Sequence, residues 1–162
     1  MGEQNARNKP VINFKGEDVF RFLGLPTQLR ATGQSTNGAF ALVEHWEMPP
    51  GFASPYHMHH REDESFYVLH GEIAFVIDGR WQRGGPGTFV FGPREVPHGF
   101  KAVGDKPAHV LILATPAGFE QFLSALAQPL GDPIAPPDIP KMVETAARFG
   151  IDILGPLPDE PS

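Results

Sequence analysis

The sequence predicts a turn-rich all-β fold, a sandwich or a barrel, on three observations. Gly and Pro each occur 18 times and recur between short apolar runs. Those runs have the length of strands and follow one another at regular spacing through the middle of the chain. Asp78-Gly79, between two such runs, is a strong hairpin signal. A chain of 162 residues fits one domain with a sizeable core.

The first part of the chain, residues 1–36, is predicted to be an arm followed by edge strands. Residues 1–9 are polar and read as a mobile arm. Residues 11–30 carry short apolar pieces that could form edge strands, and residues 34–38 form a turn cluster.

The central part, residues 37–116, is predicted to hold the β core. Its strands are bounded by Gly, Pro and Asp, which disfavour strand interiors and form turns. The predicted strands span residues 40–48, 56–60, 65–69, 72–77, 80–83, 88–91, 97–103 and 109–114.

In the last part, residues 117–162, the spacing of apolar residues changes to that of a helix, and this part is predicted to be a helical extension. One helix is indicated by apolar residues at i, i+3, i+4 and i+7, namely Phe119, Phe122, Leu123 and Leu126. A proline-rich linker follows at residues 129–137. Asp138 is suited to cap a second helix that Gly150 ends.

Composition narrows the function. The net charge of −6 argues against nucleic-acid binding. The absence of cysteine excludes disulfides, thiolate metal sites and cysteine nucleophiles. No run approaches the roughly 20 apolar residues of a membrane helix, and the N-terminus lacks an apolar signal core, so a cytoplasmic protein without a membrane partner is expected.

A histidine cluster is the strongest functional signal. His57 and His59 point to one face of a predicted strand, because strand side chains alternate, and His60 points away. His98, from a distant strand, could close on the same point. Three carboxylates compete for a fourth place, and spacing does not choose among them: Glu62, Asp63 and Glu64. Imidazole and carboxylate donors suit a divalent transition metal. No role is predicted for the other histidines, His45, His70 and His109.

Two motifs around these residues resemble those of the cupins. The first reads Gly51, five residues, His57, one residue, His59, four residues, Glu64, six residues, Gly71. The second reads Gly87, five residues, Pro93, and then the histidine five positions later, His98. In this second motif Glu95 stands where a glycine is usual and Ala102 where an asparagine is common. Glycine at that position often serves a turn with positive φ. The same turn geometry is less favourable for Glu95, whereas His98 keeps its place in the motif.

The resemblance implies a cupin double-stranded β-helix, a jelly-roll barrel, with short C-terminal helices. It also implies one divalent metal (Fe, Mn, Ni, Co, Cu or Zn) held by His57, His59, Glu64 and His98. Glu62 and Asp63 are then expected to be solvated turn residues, and His60 a surface residue. Residues 57–72 and the tail at 147–156 are similar to quercetinase-like cupins, dioxygenases of aromatic diols and flavonols.

The resemblance further implies that Glu64 is catalytic, leaving the metal to accept a substrate proton. By strand alternation, Phe66 and Val68 share the face of Glu64, while Val96 and Phe100 flank His98. We expect these four apolar side chains to bind a flat aromatic substrate, with plain core packing as the alternative.

Three classes of function stay open. A metal-dependent dioxygenase on a small hydroxy-carbonyl substrate is favoured, since the expected pocket is apolar. The alternatives are a non-oxidative cupin enzyme, such as an isomerase, epimerase or lyase on a sugar or keto acid, and a non-catalytic cupin that binds a small molecule. A homodimer is the expected assembly.

Overall fold

The computed structural model describes residues 10–162 and confirms the predicted all-β, jelly-roll arrangement of two antiparallel sheets. The predicted arm at residues 1–9 lies outside the described residues. The strands are β1 (Phe20–Phe22), β2 (Leu25–Ala31), β3 (Ala41–Met48), β4 (Tyr56–His59), β5 (Asp63–His70), β6 (Glu72–Ile77), β7 (Arg80–Gly84), β8 (Phe89–Gly92), β9 (His98–Val103), β10 (Ala108–Thr115) and β11 (Ile151–Gly155). The helices are α1 (Gly33–Thr36), α2 (Phe119–Ala125) and α3 (Ile139–Arg148).

The two sheets face each other across one hydrophobic core. The six-stranded sheet has the order β1-β2-β3-β10-β5-β8, and the five-stranded sheet the order β11-β4-β9-β6-β7. Alternation turns every second side chain inward, as on β10, where Val110, Ile112 and Ala114 are buried and their neighbours are half-buried. These side chains meet Phe66 of the same sheet and Phe75 of the other in a single cluster.

The turns take the conformations their residues favour. Asp78 and Gly79 both have positive φ, which a two-residue hairpin between β6 and β7 requires. At Gly71, between β5 and β6, a Cβ atom would lie 2.6 Å from the backbone of Ala108. Only glycine therefore fits this turn.

Both C-terminal helices bury side chains against the barrel. α2 buries Phe119, Phe122 and Leu123. α3 begins at Asp138, whose side chain accepts a hydrogen bond from the backbone N–H of Lys141.

Three elements differ from the expectation. β2 is not an edge strand, because it lies between β1 and β3. The turn cluster at residues 34–38 contains the one-turn helix α1, capped by Thr32. β11 was not predicted at all. It adds a strand to the five-stranded sheet beside β4 and carries the C-terminal extension up to the histidine cluster.

Within residues 10–162, no helix is both long and apolar enough to cross a membrane.

Candidate metal centre and its cavity

Two histidines of the candidate site come from β4. His57 and His59 alternate with the half-buried Tyr56 and Met58, so both imidazoles turn toward the interior. β11 pairs with one side of this strand and β9 with the other. The alternation predicted from the sequence is therefore what places both rings on one face.

The other two side chains reach the same point from distant strands. His98 opens β9 directly opposite His57 in the antiparallel pair, and Glu64 comes from β5 of the other sheet. Glu64 pairs across β5 and β8 with Gly92, where a Cβ atom would lie 3.0 Å from the Glu64 carbonyl oxygen and 3.7 Å from the His98 ring. Glycine at this position keeps the approach between the two side chains open.

The four side chains converge closely. Their potential ligand atoms all lie within 4.8 Å of one another, and all four residues are buried. Oε2 of Glu64 is 2.6 Å from Nε2 of His98, 2.9 Å from Nε2 of His59 and 3.5 Å from Nε2 of His57. This group of three imidazoles and one carboxylate could bind a metal ion.

The far nitrogen of each ring is fixed by an acceptor. Nδ1 of His57 donates to the carbonyl of Pro55 (2.8 Å), and Nδ1 of His98 donates to the carbonyl of Val96 (3.1 Å). Nδ1 of His59 donates to Oε1 of Glu62 (2.7 Å). A neutral imidazole carries one N–H, so a proton on Nδ1 leaves a lone pair on Nε2. A histidine that binds a metal is neutral, and in that form each of the three rings directs a lone pair at the Glu64 carboxylate, the arrangement that a metal-ligating histidine adopts.

Lone pairs that face one another require a positive charge between them. Nε2 of His59 lies 2.9 Å from the carboxylate of Glu64, yet it is a buried atom without a hydrogen bond of acceptable geometry. The short distance and the missing bond agree if both atoms direct lone pairs at a common point. The residues present therefore fit a divalent transition metal, for which nitrogen and oxygen donors are suitable ligands.

The charges of the cluster shift its pKa values. Burial acts to raise the pKa of Glu64, but the charge of His59 and the close approach of the three histidine rings hold it well below its usual range. Burial also acts to lower the pKa of His59, but the nearby carboxylates of Glu64 and Glu62 outweigh burial and raise this pKa to about 9. The pKa of His57 is lowered, chiefly by burial. Glu64 is thus ionised, the form in which a carboxylate binds a metal.

Glu62 has a role that the sequence reasoning missed. Glu62 lies in the turn between β4 and β5, as expected, but it is not solvated, because it is 2% exposed and accepts the Nδ1–H of His59. Asp63 is not a turn residue, because it begins β5, and it pairs with Arg94 at 3.2 Å near the surface. The signal available in the sequence was a carboxylate three residues after a candidate ligand.

The departure at Glu95 leaves the second motif intact. Glu95 adopts φ 65°, the left-handed conformation for which glycine is usual, and its N–H donates to the carbonyl of His59 at 2.7 Å. Its carboxylate accepts from Nδ1 of His60, whose Nε2 donates to Asp152 of β11 at 2.7 Å. Hydrogen bonds to Asp152 and Glu95 raise the pKa of His60. His60 is exposed, as expected, and joins β4 to β11 outside the site.

A cavity opens beside the candidate ligands. The space that water can occupy in it measures about 50 Å³, within roughly 530 Å³ of empty space that includes its open mouth. Both sheets and both C-terminal helices contribute apolar lining residues, among them Phe22, Phe52, Phe100, Phe119, Phe122 and Ile151. The polar lining residues are His45, Ser54, His57 and Glu64. The cavity therefore presents an apolar body with a few polar groups, which is typical of small-molecule sites.

The four predicted substrate-binding residues occupy different places. Phe100 lines the cavity. Phe66 is enclosed in the core, with its ring edge-on to those of His98 and Phe100. Val68 is fully buried, and half-buried Val96 supplies the carbonyl that holds His98. Substrate contact by these four residues stays a prediction.

His45 belongs to the cavity, although the sequence reasoning gave it no role. It follows Ala41 and Val43 along the buried face of β3 and is 3% exposed. The available signal was this alternation, which places a histidine among inward-facing apolar residues.

Comparisons with known proteins agree with the observed fold. Residues 44–114 match the family model described as a cupin domain. Over 106 residues the chain is 30% identical to a quercetin 2,3-dioxygenase from Bacillus subtilis, covering 65% of this chain. Over 67 residues it is 39% identical to the dimethylsulfoniopropionate lyase DddQ from Ruegeria pomeroyi, covering 41% of this chain. The matched segments span 31% and 32% of these two relatives, about a third of their length.

Solved structures show the same fold. The structure of KdgF from a Halomonas species superposes with a TM-score of 0.62 at 20% identity, covering 70% of this chain and 99% of that one. An RmlC-like cupin from Shewanella frigidimarina superposes with a TM-score of 0.59 at 22% identity, covering 70% and 96%.

Proposed function

We propose that this chain, which belongs to the cupin superfamily, is a metal-dependent dioxygenase acting on a small aromatic or flavonol-like hydroxy-carbonyl compound. One observation carries the proposal. Three imidazole Nε2 atoms and the Glu64 carboxylate converge at a point that opens on a cavity lined mainly by apolar and aromatic side chains. The likeness to a quercetin 2,3-dioxygenase supports the choice of substrate class.

The residues divide the work of such a reaction. His57, His59, Glu64 and His98 would hold one divalent metal, which when bound supplies Lewis acidity that lowers the pKa of a coordinated hydroxyl. Glu64 would accept the proton of that hydroxyl; in support of this role, its carboxylate is ionised and lines the cavity. The phenylalanine rings exclude water and hold an aromatic substrate by its faces.

A non-oxidative lyase is the second candidate, favoured by the 39% identity to DddQ over a segment of 67 residues. The same four side chains would serve it, since a Lewis acid and an ionised carboxylate also promote proton abstraction. Oxygen consumption separates the two candidates.

The test measures metal and oxygen together. Full-length protein is reconstituted separately with Fe, Mn, Ni, Co, Cu or Zn, and its metal content and oxygen uptake are measured with flavonols and catechols. We expect about one metal per chain and oxygen uptake that depends on it. His98→Ala should lose most of the metal and Glu64→Gln most of the activity, while His70→Ala, which changes an exposed histidine, should retain both.

Two results would contradict the proposal. An unchanged metal-to-protein ratio in His98→Ala would remove His98 from the site. Metal-dependent turnover of a substrate without oxygen uptake would replace the dioxygenase with the lyase.

A further inference from the structure

We infer that His45 is a specificity-determining residue of the cavity, whose Nε2 accepts a hydrogen bond from a hydroxyl or N–H group on an otherwise apolar ligand. The inference rests on the proposed function only in taking this cavity as the ligand site. It concerns recognition of the ligand and not the chemistry at the metal centre.

The hydrogen bonds of Thr27 fix which nitrogen of His45 carries the proton. The Thr27 hydroxyl donates its one proton to the carbonyl of Leu25 at 3.0 Å and lies 2.8 Å from Nδ1 of His45. A carbonyl cannot donate, so the hydroxyl is an acceptor toward His45 and Nδ1 is the donor. Thr27 is fully buried, and water does not compete for this contact.

His45 is a neutral ring with a free acceptor. Burial lowers its pKa to about 4, against an opposing effect from the charge of Glu64. With the proton on Nδ1, Nε2 holds a lone pair. Among residues 10–162, this Nε2 atom has no hydrogen-bond partner. It is also not fully enclosed by protein, since the enclosed side-chain atoms without a partner are Arg30 Nη1, His59 Nε2 and Trp81 Nε1. The lone pair therefore opens on the cavity that His45 lines.

The other polar side chains that line the cavity already have partners. The Ser54 hydroxyl donates to the carbonyl of Pro55 and accepts from the N–H of Phe100, both at 3.0 Å. His57 and Glu64 belong to the candidate metal centre. Outside the candidate metal centre, Nε2 of His45 is thus the polar side-chain atom of the described lining that makes no hydrogen bond to the protein.

The site so defined selects a particular chemistry. A ligand with a ring and one donor gains a hydrogen bond at His45, whereas a ligand of the same shape without a donor leaves a buried acceptor unpaired. Sites built around such a buried acceptor discriminate more sharply than apolar pockets do.

The experiment uses two small probes that do not depend on catalysis. Phenol has one O–H donor on an aromatic ring, and toluene has the same ring without a donor. Their dissociation constants are measured by NMR titration of the full-length protein incubated with Zn(II), for the wild type and for His45→Leu. Toluene controls for changes of cavity shape within each protein.

We expect the preference for phenol relative to toluene to fall by about tenfold in His45→Leu, the effect of roughly one hydrogen bond. In wild-type protein, the ¹⁵N signals of His45 should show the Nδ1–H tautomer, and phenol should shift the Nε2 signal. An equal preference in both proteins, or no binding of phenol to the wild type, would overturn the inference.

If His45→Leu does not fold, a second variant tests the same inference. Thr27→Val removes the acceptor of the Nδ1–H, so the single tautomer should become a mixture and the phenol preference should fall. A mixed tautomer with an unchanged preference would also overturn the inference. Because neither probe is oxidised or cleaved, a failure of the dioxygenase proposal leaves this result unaffected.

Discussion

At the scale of single residues, the candidate metal centre depends on side chains that contact its ligands without being ligands themselves. Glu62 is the clearest case, since it is buried and holds the proton of His59 on Nδ1. A carboxylate in this position fixes the tautomer of a ligand histidine and increases its basicity. We predict that Glu62→Gln lowers metal affinity by about tenfold or more, measured by competition with a chromophoric chelator.

The neighbouring carboxylate supplies the control. Asp63→Asn removes the same charge one residue away, but Asp63 pairs with Arg94 and not with a ligand ring. Its metal affinity should stay close to that of the wild type. Equal losses in the two variants would show that net charge, and not the orientation of His59, sets the affinity.

His45 makes a separate contribution that depends on pH. Its folded-state pKa of about 4 lies below its ordinary value of 6.5, mainly because of burial. The unfolded chain therefore takes up a proton between these values and the folded chain does not, so stability falls as pH decreases from 6.5 toward 4. We predict a loss on the order of 3 kcal/mol over this interval, measured by urea unfolding of metal-free protein.

Burial also lowers the pKa of His57, so the difference in stability between two proteins is the informative quantity. The variant His45→Leu lacks this group but keeps the candidate ligands, the exposed pair of His60 with Glu95 and the half-buried pair of His109 with Glu44. Between pH 6.5 and 4, the free energy of unfolding of this variant should fall less than that of the wild type. The difference between the two losses should equal the amount assigned to His45. Parallel pH profiles would contradict the prediction.

At the scale of elements, β11 connects the C-terminal extension to the candidate metal centre. Ile151 pairs with His59 and Ile153 with His57 across the two strands, and both isoleucines line the cavity. Ile151 is almost fully buried. We predict that Ile151→Ala destabilises the protein by about 2–5 kcal/mol, the cost of a cavity in a packed core, measured by denaturant unfolding.

The same strand provides a matched control. Leu154 is 50% exposed, so Leu154→Ala should change the free energy of unfolding by less than about 0.5 kcal/mol. Similar destabilisation in the two variants would mean that β11 contributes through its backbone pairing and not through the side chain of Ile151.

The elements also show what local sequence does and does not predict. Strands β3 to β10 lie near their predicted positions because apolar runs and turn residues define them locally. β11 was missed since its short Ile-Asp-Ile-Leu-Gly run follows a helix, and only pairing with β4 makes it a strand. Glu62 and His45 were missed for a related reason. Their roles depend on partners brought in by the fold, which no spacing in the sequence reveals.

At the scale of the whole molecule, the candidate metal centre joins the two sheets. Glu64 belongs to the six-stranded sheet, and His57, His59 and His98 belong to the five-stranded sheet. The sequence identified these four residues because the cupin resemblance supplied the long-range pairing. Strand alternation by itself brought together only His57 and His59 and left the choice of carboxylate open.

Strand β8 offers a surface for the homodimer expected from the sequence. This strand is an edge of the six-stranded sheet, and its Phe89 and Phe91 are 63% and 53% exposed. Phe89 pairs with Tyr67 of β5, whose ring is also exposed. An edge strand with aromatic side chains favours pairing with another chain. We propose that two copies pair their β8 strands about a twofold axis, which would join their sheets and cover these rings.

Charge on this edge should therefore separate the two copies. We predict that Phe91→Lys converts a dimer into a monomer at micromolar concentration, because a lysine facing its symmetry mate is repelled and loses hydration. Sedimentation velocity measures the outcome. The control Val143→Lys changes an exposed apolar residue of α3 and should remain dimeric. Loss of the dimer in the control alone would place the interface on the helices, and a monomeric wild-type protein would contradict the homodimer itself.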